Sequence, residues 1–217
     1  MSAFLDWANA VAFTVGNQSV KWSDLLGNIC ALATVGLAVR RSMWTWPVQI
    51  AGCVLLFGAS ASVHLGGNAS RQVVLAVMAA YGWWCWTRGR QTFGDVPVRF
   101  AGWRERGALI AALATGTLAF AWLLAATGTS WAPLPDSYIF VGSVVATVAQ
   151  ARGLVEFWFV WIAVDIVGVP LAVSHGLVVS GAVYGVFFAL CLVGIRDWWG
   201  KVARDRADAR SEEAVPA

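Results

Sequence analysis

Trp158, Trp161 and Asp165 fall in one run, Glu156-Phe157-Trp158-Phe159-Val160-Trp161-Ile162-Ala163-Val164-Asp165. On an α-helix the i, i+3, i+7 spacing puts the three on one face. Two indoles leading to a carboxylate suit a flat heteroaromatic solute: the rings stack on it and the polar group fixes its orientation. The same residues also fit an interfacial aromatic belt with a structural carboxylate paired to another helix. Asp165 lies well inside an apolar run, where a charge is costly and normally faces a bundle interior or a wet cavity.

Trp46-Pro47-Val48-Gln49 opens an earlier apolar run, with proline where a helix start tolerates it. Gln49 can bond a solute or a neighbouring helix equally well. A third run carries Asn68, then Gln72 one turn later, then Tyr81-Gly82-Trp83-Trp84-Cys85-Trp86; Tyr184 holds a matching place near the end of the chain. Most of the Tyr81–Trp86 cluster reads as an interfacial belt. Together these give eight candidate solute-binding residues: Trp46, Gln49, Asn68, Gln72, Trp158, Trp161, Asp165 and Tyr184.

Other chemistries lack their residues. There is no HExxH, GxSxG or P-loop pattern, and no lysine inside the last apolar run for a Schiff base. Cys30, Cys53, Cys85 and Cys191 have neither CxxC nor Cys/His metal spacing and read as small packing residues. His64 and His175 stand at the ends of runs. No nucleophile–base set can be assembled, no metal site or cofactor is expected, and no carboxylate pair is placed to bind sodium or relay protons. The chain is therefore read as a non-enzyme.

The elements that must position these residues follow from composition. The chain is 59% hydrophobic and 12% charged, about half the charge of an average soluble protein. Seven apolar runs, at 23–40, 44–64, 70–87, 107–127, 136–151, 156–174 and 177–195, are expected to be transmembrane helices, since in lipid each span must satisfy its own backbone. An interfacial segment over 1–22, with a short helix over 4–16, precedes them. A charged tail over 201–217 is expected to be disordered. Alternating the spans puts 13 of the 15 Lys and Arg on one side, leaving Lys21 and Arg71 on the other. The positive-inside rule then places the N-terminus outside and the C-terminus in the cytoplasm. The net charge of +3, with no basic stripe, gives no sign of a nucleic-acid partner.

A shift of 112 residues lays Asp24 on Asp136, Arg40 on Arg152, Trp46 on Trp158, Ile50 on Ile162, Gly82 on Gly194 and Trp86 on Trp198, without a gap. Three-helix units over 23–88 and 136–200, joined by a linker helix over 107–127, are expected to be parallel repeats, a transporter architecture. The solute would lie at the seam between them.

At Trp46-Pro47, Asn68…Gln72…Tyr81-Gly82-Trp83, Glu156-x-Trp158-x-x-Trp161-x-x-x-Asp165, Tyr184 and Gly194…Trp198, the sequence resembles the PnuC family of vitamin transporters, over about residues 23–200. The resemblance implies an all-α integral membrane fold of seven helices in a 3+1+3 arrangement, similar to sugar porters of the SWEET type. It implies facilitated diffusion without ion coupling in a bacterial plasma membrane, and assembly as a homotrimer. Family members carry nicotinamide riboside, riboflavin or thiamine. The family motif of the sixth span usually ends in Asn where this chain has Asp165. The Ala-, Arg- and Trp-rich, Lys-poor style is similar to high-GC actinobacteria, where the family's usual member carries riboflavin, so riboflavin is the expected transported ligand and nicotinamide riboside or thiamine the alternative. The rival of a different class is a non-transporting membrane receptor or a membrane enzyme.

Overall fold

The computed structural model describes residues 10–15, 18–62, 66–130, 132–174 and 178–213. A short hairpin, β1 (Val11–Val15) and β2 (Gln18–Lys21), leads into helices α1 (Trp22–Val39), α2 (Thr45–Ser62), α3 (Gly66–Phe93), α4 (Trp103–Thr127), α5 (Pro133–Ala151), α6 (Phe157–Ser174) and α7 (Val178–Glu213). These are the seven helices read from the apolar runs.

Two expectations are corrected. Residues 11–15 form a strand rather than the end of a short helix. They alternate Val11, Phe13, Val15 with Ala12 and Thr14, and pair antiparallel with Gln18–Lys21; a period of two outweighs their bulk hydrophobicity. Residues 1–9 lie outside the described ones. The tail is helical to Glu213, because α7 simply continues. Its sequence is rich in good helix formers. Lys201 meets both Asp205 (3.6 Å) and Asp95 (3.1 Å), Val202 is buried, and the Arg206 guanidinium lies 5.5 Å from the centre of the Phe100 ring. Burial pushes the Asp95 carboxyl up, but the Lys201 ammonium and the Val96 N–H outweigh it and hold it below its usual range.

α1, α2 and α3 pack in sequence as one trio, and α5, α6 and α7 as another; the trios meet where α1 touches α7 and where α3 touches α5. α4 lies against α5. Among the described residues it is the one helix long and apolar enough throughout to cross a bilayer, with shorter apolar stretches at Leu25–Val39, Thr45–Gly58 and Phe157–Pro170. Ile110, Leu118 and Trp122 on α4 point outward and uncovered.

The connection from α3 to α4 is tied to the start of α6. Arg99 N–H donates to Gly153 O, and Val155 N–H to Arg99 O, both at 3.0 Å. Gly153 has φ +66°, and a Cβ there would fall on the Pro97 carbonyl, so the close pass needs glycine. Glu156 accepts from the Ala101 N–H (2.9 Å) and from Arg106 Nε (3.0 Å). Arg99 grips Glu105 with two bonds of 2.6 Å, which hold the Glu105 carboxyl down at about 2. Glu156→Ala should leave a half-buried backbone donor and a guanidinium without their acceptor. The expected cost is about 2 kcal/mol, read as a lower unfolding temperature in detergent, with Glu156→Gln less affected. An Ala variant as stable as the native chain contradicts the tie.

Candidate functional site

Four indoles form a chain across the meeting of the two trios. Trp46 on α2 stands edge-on to Trp86 on α3 (5.1 Å between centroids, 84°). Trp86 neighbours Trp198 on α7 at 6.3 Å. Trp198 in turn is edge-on to Trp158 on α6 (5.9 Å, 88°). Each of the four is under 2% exposed.

A shift of 112 residues exchanges the two ends of this chain. It also exchanges two hydrogen bonds: Trp86 Nε1 donates to the Gln150 carbonyl (3.0 Å), and Trp198 Nε1 donates to the Ala38 carbonyl (3.1 Å). Gly82 and Gly194 exchange as well. A Cβ on Gly82 would fall inside the Trp46 indole, and one on Gly194 inside the Trp158 indole. Each glycine thus serves as the seat of a tryptophan on the preceding helix.

Against the indoles lies a small, partly open cavity of about 30 Å³. Gln49, Gln150, Trp158, Trp161, Phe187 and Cys191 contribute to its wall, with Thr34, Val35, Ala38 and Phe157 completing it. Both members of two 112-shift pairs line it, Ala38 with Gln150 and Gln49 with Trp161, so it sits where the trios face each other. The Gln49 Oε1, Gln150 Nε2 and Trp158 Nε1 atoms are buried without a hydrogen-bond partner among the described residues. An acceptor and two donors left open beside aromatic walls are costly unless something pairs with them.

Of the residues singled out by sequence, Gln49, Trp158 and Trp161 come together on this wall. Trp161 is half-buried there, whereas Trp158 is sealed among Phe157, Trp198 and Gly194. Trp46 is not on the wall; it is packed over Gly82 on the far side of Trp86. Asp165 is 4% exposed, one turn beyond Trp161, with Oδ2 unpartnered among the described residues. It lies within electrostatic reach of Cys191. Gln72 is buried on α3 away from this wall. The side chains of Asn68 and Tyr184 lie outside the described residues.

The model of the nicotinamide mononucleotide transporter family matches residues 21–200. The chain belongs to this family. Its membership agrees with the PnuC-type resemblance carried by the span-2, span-3 and span-6 motifs. It places the chain among bacterial membrane transporters. The chain is similar to the riboflavin/roseoflavin transporter RibM of Streptomyces davaonensis, at 51% identity over 98% of this chain and 100% of the relative. It is similar to the nicotinamide riboside transporter PnuC of Escherichia coli K12 at 23% identity, over 88% of this chain and 90% of the relative. A crystal structure of a vitamin B3 transporter PnuC shares the fold, with a TM-score of 0.70 and 19% identity, covering 84% of this chain and 83% of that one.

Within this member of the transporter family, seven wall residues are not among the candidates read from the sequence: Thr34, Val35, Ala38, Gln150, Phe157, Phe187 and Cys191. Gln150 was the findable one. The 112-residue shift lays it on Ala38, and a lone amide between Ala149 and Ala151 at the end of an apolar run is a signal of the same kind as Gln49. Thr34, Phe187 and Cys191 are ordinary helix residues whose place is set by packing.

Proposed function

We propose that this chain is a plasma-membrane facilitator that takes up riboflavin, passing it between two three-helix repeats by alternating access without ion coupling. The geometric observation behind this is the set of open polar atoms, Gln49 Oε1, Gln150 Nε2 and Trp158 Nε1, beside aromatic walls at the meeting of the two trios. The cargo follows from the 51% identity, over nearly the whole of both chains, to a protein named for riboflavin and roseoflavin transport. The isoalloxazine ring is flat and carries an imide edge of alternating carbonyl and N–H groups. An amide oxygen can accept from that N–H, and an amide nitrogen can donate to a carbonyl beside it. Trp161 is the stacking surface and Asp165 bonds the polar groups further along. Gln72 and the positions of Asn68 and Tyr184 remain in the reading as polar groups along the path.

A cavity of about 30 Å³ has room for a water but is far smaller than the roughly 300–1,000 Å³ of a small-molecule site. Passage therefore requires the trios to part, and the four-indole chain with its two exchanged hydrogen bonds is where they are held. In this reading α1–α3 and α5–α7 are parallel repeats about an axis along the membrane normal, α4 is the linker, and all seven helices span the bilayer. The arginine-bearing connections and the extended α7 lie in the cytoplasm, with the hairpin outside. The outward apolar face of α4 meets lipid and is the surface available to a homotrimer.

Purified protein should quench riboflavin fluorescence by stacking on indole, saturably with protein concentration. The second reading, nicotinamide riboside, draws on the buried Asp165 carboxylate, which suits a cationic ring. Quenching that nicotinamide riboside displaces more effectively than riboflavin would favour it. Asp165→Asn keeps hydrogen-bonding capacity and restores the residue usual at this motif position. Initial riboflavin uptake should stay within about threefold of the native rate, since such a swap forfeits well under one typical hydrogen bond. A protonophore should leave both rates unchanged. Uptake that collapses with the proton gradient, and no longer does so in Asp165→Asn, would contradict facilitation.

A further inference from the structure

The two places where the trios touch are related by the 112-residue shift, yet they are filled differently. At the α1–α7 joint, Arg41 forms an ion pair with Asp197 at 2.9 Å. The equivalents of these two residues at the α3–α5 joint are Gly153 and Cys85. Neither can make that pair, and in its place lies a cleft of about 320 Å³, with both residues on its wall. The rest of the wall mixes the arginines Arg88, Arg99 and Arg152 with apolar residues, Trp84, Val96 and Pro97 among them.

Carboxylates neutralise only part of this rim. Arg99 is held by Glu105. Glu105 is also within electrostatic reach of Arg152, but Arg99 already bonds both its oxygens. The Arg88 guanidinium lies over the Trp84 ring at 4.3 Å. Among the described residues neither Arg88 nor Arg152 has an acidic partner within ion-pair distance. Both are exposed at the cleft mouth.

We infer that this cleft binds a phosphate-bearing anion, which takes the place held by the Asp197 carboxylate at the other joint. Guanidinium groups match phosphate oxygens in charge and in bidentate geometry. In the orientation proposed above, on which this inference rests, the cleft opens at the cytoplasmic leaflet, whose lipids are anionic and where basic clefts between helices take up headgroups. The phosphate comes either from such a headgroup or from a soluble phosphate ester. Its occupancy would bridge α3 to the end of α5 and brace the joint between the trios from one side only.

Native mass spectrometry of the full chain in detergent tests this, with phosphatidylglycerol, phosphatidylcholine and glycerol 3-phosphate as probes. The native chain should retain one phosphatidylglycerol in preference to phosphatidylcholine. Arg88→Gln/Arg152→Gln should bind it about thirtyfold more weakly, the factor expected for losing two cations near an anionic surface. Arg40→Gln, which removes the single equivalent of Arg152 at the other joint, should bind as the native chain does. Cys85→Asp should also block binding while keeping every arginine. Displacement of the lipid by glycerol 3-phosphate identifies a soluble ester as the source, and no displacement identifies the headgroup. Equal retention of the two lipids with no binding of glycerol 3-phosphate overturns the inference, as does undiminished binding in both the double variant and Cys85→Asp. Riboflavin quenching on the same samples reports the transport site independently, so failure of the one is distinguishable from failure of the other.

Discussion

Trp161→Ala should abolish riboflavin uptake, by more than about tenfold, while the protein still reaches the membrane folded. Stacking of a heteroaromatic ring on an indole is worth roughly 1–3 kcal/mol by alanine substitution, a factor of about 5 to 160 in binding. Trp161 can lose its ring without collapsing the fold, because it is half-buried on the cavity wall and belongs to none of the sealed indole pairs. Trp158 makes the contrast. It is 1% exposed and packs on Phe157, Trp198 and Gly194, so Trp158→Ala should lower stability as well as transport. Comparable uptake per folded molecule in Trp161→Ala and in the native chain would remove Trp161 from the path.

The second large effect is structural and comes in a matched pair. Gly82→Val and Gly194→Val should each prevent accumulation of folded protein, and even Gly→Ala at either position should lower the unfolding temperature markedly. Overpacking a dense core typically costs about 1–3 kcal/mol, and more where the obstructed atoms cannot move. Here the obstructed group is a rigid indole already fixed by its neighbours, Trp46 by Trp86 and Trp158 by Phe157 and Trp198. The geometry predicts that the two sites behave alike although they lie 112 residues apart. A large loss at one and none at the other would break the equivalence of the two trios. Thermal unfolding of the four variants in detergent, followed by size-exclusion fluorescence, reads the comparison.

The seven helices were legible because each is a long apolar run punctuated by charge, and the shift of 112 was legible because tryptophan and glycine are rare enough to mark a register. What the shift could not convey was the use of those residues. Trp46 reads as a solute contact by its match to Trp158, and in the fold its ring lies over Gly82. Gly82…Trp86 and Gly194…Trp198 carry the stronger message: a glycine one turn before a tryptophan provides a seat for one indole and the next link in a chain of them. Gln150 was passed over because it stands at a helix end, where an amide usually meets water. Only the approach of α3, which brings the Trp86 N–H to its carbonyl, turns that end inward. The tail reads as disordered because it is charged and poor in large apolar residues. Lys201 and Arg206 are surface residues by type, but Asp95 and Phe100, a hundred residues earlier, give them partners, and no local pattern encodes that meeting.

The central claim is that the meeting of the two trios conducts riboflavin. The most direct measurement is uptake of labelled riboflavin into proteoliposomes holding the purified chain, with no ion gradient. The account predicts saturable entry that stops when internal and external riboflavin are equal, that runs equally well in reverse, and that Trp161→Ala eliminates. Riboflavin that binds the purified protein but does not cross, or that accumulates beyond the external concentration only when a proton or sodium gradient is imposed, would contradict it.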